Sequence, residues 1–121
     1  MKRCLQFLAG AAIVFAALGF SDFARGGEAA NEVFSTASCT GTTAEALAAN
    51  RGRISALFIN DATSAIYLKV GEDAVANEGI RLNPNGGSYF ISNAGSNLDR
   101  EEVDCITGGT TNVLLIIEWS N

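Results

Sequence analysis

Three cysteines, Cys4, Cys39 and Cys105, and four acids close together, Asp99, Glu101, Glu102 and Asp104, are the residues whose types and spacing invite chemistry. Two cysteines far apart in a chain with no histidine are not a zinc ligand set, which needs four nitrogen or sulfur donors at short spacings. Pairing of Cys39 with Cys105 as a disulfide is the chemistry that suits them in an oxidising compartment, and two free buried thiols is the alternative in a reducing one. The four acids suggest calcium, but the glycine and terminal glutamate of an EF-hand loop are missing, so a solvated acidic rim is the plainer reading. Without histidine there is no ordinary serine or cysteine triad. Carboxylate pairs of the kind that hydrolyse glycosides lack an aromatic sugar platform. Lys69 alternates with apolar neighbours on a strand and reads as a solvated side chain. The sequence therefore predicts no catalytic residue, no cofactor and no metal site, and a protein that is not an enzyme.

Charge narrows the partners. Beyond residue 29 there are five bases, Arg51, Arg53, Lys69, Arg81 and Arg100, against eleven acids. Such a surface repels nucleic acid and anionic membranes, and no basic stripe interrupts it. Protein partners remain, with a membrane involved only if the N-terminal segment is retained.

That segment has a basic head, Lys2 and Arg3, an apolar run over residues 5–20 broken by Gln6, and small residues over 24–30. This is the layout of a secretory signal peptide, and the run is short of the ~18 residues expected of a spanning helix. The sequence thus divides into a hydrophobic, signal-like helix over 1–29, cleaved or kept as an anchor, and one domain over 30–121. Cleavage after Gly26 and cleavage after Ala29 both place small residues where the peptidase reads, with Ala29 preferred. In a domain this small, closing the long span from Cys39 to Cys105 contributes on the order of 4 kcal/mol on the chain-entropy account.

The remainder is strand-like. Residues 33–38, 54–59, 65–70, 80–82, 88–92, 102–107 and 113–119 are rich in branched and aromatic residues, and polar, glycine-rich turns separate them. The segment 44–49 fits either a helical turn or an irregular strand. The spacing predicts an all-β fold, a small antiparallel β-sandwich or barrel of about six to seven strands. The compact loop 60–64 predicts a hairpin between 54–59 and 65–70. Cys105 shares a strand face with Val103 and Thr107, as a disulfide beneath a sheet should. The strongest turn is Asn83-Pro84-Asn85-Gly86-Gly87.

Two strands, 54–59 and 113–119, are apolar on both faces, where a two-layer sandwich needs only one. Loops cover the second face, the sheet closes as a barrel, or another subunit packs there. The last option predicts a seam at Leu57, Ile59, Leu114 and Ile116 and a symmetric oligomer or a larger assembly.

Several motifs carry a resemblance. Ala49-Asn50-Arg51-Gly52-Arg53 leads an apolar strand ending in Asn60. Ile66-Tyr67-Leu68 then runs to Gly71, Gly79-Ile80-Arg81-Leu82 precedes Pro84 and Gly86-Gly87, and Glu118-Trp119 closes the last strand. This pattern resembles small structural proteins of tailed bacteriophages. The resemblance implies a non-catalytic β-domain on a virion, as a capsid decoration, fibre or tail part that self-associates. The other reading is a disulfide-stabilised binding module, secreted or periplasmic, whose loops 71–79 and 93–100 meet a ligand. Location is accordingly virion or exported.

Overall fold

Branched and aromatic residues in alternation settle as strands throughout residues 31–121, which a computed structural model describes. The signal-like segment lies outside the described residues. The strands are β1 (Asn31–Cys39), β2 (Ala44–Leu47), β3 (Arg53–Asn60), β4 (Ile66–Val70), β5 (Ile80–Leu82), β6 (Gly87–Ser92), β7 (Val103–Thr107) and β8 (Asn112–Ser120). They form two four-stranded sheets, ordered β1-β8-β3-β6 (sheet A) and β2-β7-β4-β5 (sheet B), and every pairing is antiparallel. No helix occurs among the described residues. The architecture is a sandwich of eight strands where the sequence predicted six or seven. The segment that fitted helix or strand is β2, pairing with β7 at the edge of sheet B.

One expected pairing is corrected. Strands β3 and β4 do not form a hairpin: β3 pairs with β6 and β8 in sheet A, and β4 with β5 and β7 in sheet B. The loop between them is an arch that carries the chain across the sandwich. Asn60 makes this possible, because its buried side chain replaces the ladder bonds that an arch gives up. Its Nδ2 donates to the carbonyls of Ser64 (2.8 Å) and Leu82 (3.1 Å), and its Oδ1 accepts from the Ala62 amide (3.0 Å). The Asn83–Gly87 turn docks on the same arch, with amides of Asn85 and Gly86 donating to the carbonyls of Ala62 and Asn60. Gly87 is required there: a Cβ would stand 2.3 Å from the Asn83 carbonyl oxygen.

Between the sheets, Ala37, Ala56, Phe58, Ile91, Leu114 and Ile116 from sheet A meet Ile66, Leu68, Leu82 and Val103 from sheet B. Each large side chain sealed there contributes roughly 1.5–3 kcal/mol. Cys39 on β1 and Cys105 on β7 are joined as a disulfide, with Cα atoms 5.6 Å apart. Both are fully buried, so the bond staples one sheet to the other through the core.

The end of the sandwich opposite the arch is closed by a buried charge. A β-bulge between Arg53 and Ser55 turns Arg53 to the inner side, where it is 0% exposed. Its Nε donates to Glu118 Oε2 at 2.7 Å, Nη1 to the carbonyls of Asp99 and Glu101, both at 2.9 Å, and Nη2 to the Ala48 carbonyl at 2.7 Å. Asn50 donates to the other oxygen of Glu118 at 3.2 Å. The guanidinium thus gathers the chain before β3, the segment 99–101 and the end of β8.

Candidate functional site

Strand parity places a row of side chains on the outside of sheet A, away from the core. On β8 the row is Val113, Leu115, Ile117 and Trp119; on β3 it is Ser55, Leu57 and Ile59. Phe34 and Thr36 on β1 and Phe90 on β6 extend it. Register aligns Phe34 with Ile117, Ile117 with Leu57 and Leu57 with Phe90, so one apolar line crosses all four strands. Phe34 is 69% exposed, Phe90 51% and Val113 49%. Phe90 and Trp119 reach each other in an edge-to-face contact, ring centroids 6.2 Å apart. Phe34 and Thr36 on one side and Ile59 on the other flank a groove of about 400 Å³ floored by Leu115 and Ile117.

This face differs from the predicted seam in half its members. Leu57 and Ile59 do point outward. Leu114 and Ile116 do not: they are 0% and 1% exposed and belong to the core. The physical reason is Glu118, which shares their side of β8. An isolated glutamate suggests water, yet Glu118 turns inward to neutralise buried Arg53. Consequently the alternate residues, ending in Trp119, face out. The exposed Phe34 and Phe90 are further members that strand parity alone did not single out.

Sheet B treats its outer side differently. Loop 71–79 folds back over it: the Tyr67 hydroxyl donates to Asn77 Oδ1 (2.9 Å), the Ala74 amide donates to Thr43 Oγ1 (2.9 Å), and Ala74 is buried. Gly79 ends the loop with positive φ, against the Leu68 carbonyl, where a Cβ would come within 2.6 Å. Asp104, on this side, is buried at 5% exposure, its Oδ2 accepting from Thr43 Oγ1 at 3.3 Å while Oδ1 has no partner among the described residues. Glu45 stands opposite it in the β2–β7 register. The carboxylates of Asp104 first and Glu45 second, to which Glu102 can donate a hydrogen bond only when protonated and which repel it when ionised, push its carboxyl up to about 7. Lys69, also opposite Asp104, directs its ammonium to Glu72 at 3.6 Å.

The acid run that suggested a rim is therefore divided. Asp99 accepts the Glu101 amide at 2.9 Å and lends its carbonyl to Arg53, whereas Glu102 and Asp104 join Glu45. Among the described residues no group of three His, Cys, Asp or Glu is arranged to hold a metal ion. The loop 93–100 is tied back to β6 through Asn97, which accepts the Ser92 amide and donates to the Phe90 carbonyl, both at 3.0 Å.

No family model and no curated protein matches the sequence. Among solved structures, the chain is similar to one from Bacillus endospore appendages, which are described as forming a novel family of disulfide-linked pili. The TM-score is 0.51 at 14% identity, over 75% of this chain and 86% of that one. At that identity the likeness is one of fold: a small disulfide-bonded β-domain shares its architecture with a pilus protein.

Proposed function

We propose that this chain is an exported, non-catalytic structural subunit that assembles with other protein subunits in an extracellular appendage or comparable particle. The observation that carries the reading is the apolar outer face of sheet A, left uncovered by the described residues, on a sandwich whose other sheet has its own covering loop. The fold likeness to a pilus protein supports it, as does a core disulfide of the kind that persists outside reducing compartments. The tailed-phage resemblance suggests the same kind of role, and the disulfide favours an appendage over a virion part assembled in a reducing cytoplasm.

The test is to recover the protein from its source under non-reducing conditions, measure its mass distribution and label intact cells with an antibody against it. Multimers or filaments bearing label on the outside are expected. A monomer at tens of micromolar, with no co-purifying protein and no surface label, would overturn the proposal.

A further inference from the structure

We infer that the outer face of sheet A docks a second copy of the same chain, face to face, about a two-fold axis that runs parallel to the strands above Leu57; this rests on the reading of the chain as an assembling subunit. Three features of the face point to a second copy in particular.

The first is the fit of the face to itself. Phe90 projects from β6 on one side of β3, and the groove floored by Leu115 and Ile117 lies over β8 on the other side. A two-fold axis above β3 exchanges the β6 and β8 positions. Because Phe90, Leu57 and Ile117 share one register line, the operation sets Phe90 of each copy over Ile117 in the groove of the other, with the two Leu57 side chains meeting on the axis. Knob and hole on one surface, related by a two-fold, are what an isologous contact needs.

Charge is the second feature. The acidic surplus of the chain lies elsewhere, and among the outward residues of sheet A only Glu32, at the rim beside Trp119, is charged. A basic or acidic partner would find nothing to pair with at the centre. A copy of the same apolar face leaves no buried charge unpaired.

The third is size. Because the axis stands above β3, the three strands β8, β3 and β6 of each copy overlap while β1 lies beyond the partner's β6; at ~4.8 Å spacing and about seven residues at ~3.4 Å the overlap is roughly 14 by 24 Å. Two such faces in contact remove on the order of 700 Å² in total, the size of a weak, reversible contact. Two aromatic side chains, Phe90 and Trp119, lie within this overlap, and aromatic anchors dominate binding at such surfaces. Contact of this area is expected to be half-formed in the micromolar range, so it is read at tens of micromolar.

Sedimentation of the exported protein and of three variants tests the inference. The wild type is expected at twice the protomer mass. Phe90→Asp and Leu57→Arg are expected to be monomeric, with the disulfide retained, and Val75→Asp, on the loop over sheet B, to remain paired. Should the charged variants fail to fold, Leu57→Cys treated with a short bis-maleimide replaces them: a cross-linked dimer is expected, and its absence counts against the proposal. Oligomers that survive both charged substitutions would overturn this face as the seam while leaving assembly intact. A wild-type monomer that holds a different protein on this face, or its own retained segment 1–29, would overturn the second copy as occupant. A wild-type monomer without any partner would overturn both readings.

Discussion

At the residue scale, two polar side chains buried at opposite ends of β3 do most of the organising. Arg53 makes one ion pair and three bonds to backbone carbonyls, so its removal strands Glu118 and leaves three carbonyls without their donor. Arg53→Ala is expected to lower the unfolding free energy by about 3–5 kcal/mol in urea titrations, the range for breaking a buried pair from one side. Glu118→Gln retains an acceptor for the guanidinium and should cost clearly less. One residue beyond the Glu101 carbonyl that Arg53 holds, Glu102 introduces a pH dependence. Its carboxyl titrates near 7 in the folded protein against an ordinary 4.5, so the folded state holds a proton that the unfolded chain releases between those values. Its contribution is complete below pH 4.5 and is lost as pH rises through 7. The thermal midpoint should accordingly be higher at pH 5 than at pH 8, and Glu102→Gln should flatten that difference; an equal slope in the variant would remove Glu102 as the cause.

At the scale of elements, the disulfide is a side-chain cross-link between the layers, from edge strand β1 of sheet A to central strand β7 of sheet B. Replacing both cysteines with alanine is expected to cost about 2–5 kcal/mol by denaturant unfolding, without changing the strand order. A loss below 1 kcal/mol would mean that the core alone holds the sheets together. The strands themselves were legible because alternation and branched residues report a half-buried pleat directly, and β4, with Ile66 and Leu68 inward and Tyr67 and Lys69 outward, is the plainest case. Their partners were less so. Loop length between β3 and β4 suits a hairpin, and only the three hydrogen bonds of the Asn60 side chain, made after folding, show why an arch forms instead. The face of β8 misled for a related reason: a glutamate tells of water unless a buried arginine, brought near by a bulge more than sixty residues away in sequence, claims it. Leu57 and Ile59 were readable because β3 carries no such misleading residue among them.

At the scale of the whole molecule, the two sheets divide the work. Sheet B is covered by its own loop, and sheet A presents an apolar face with exposed aromatic side chains that no other described element covers. This asymmetry, more than the strand count, is what the proposed assembly role rests on, and a two-fold pairing across sheet A would still leave the edges of β1 and β6 unpaired. The most direct measurement uses Trp119, the single tryptophan of the chain, which sits on that face. Its quenching by acrylamide should be followed from nanomolar to tens of micromolar protein. Trp119 is expected to become progressively shielded as concentration rises; a quenching constant that stays throughout at the value of the dilute protein would mean that no second copy meets this face.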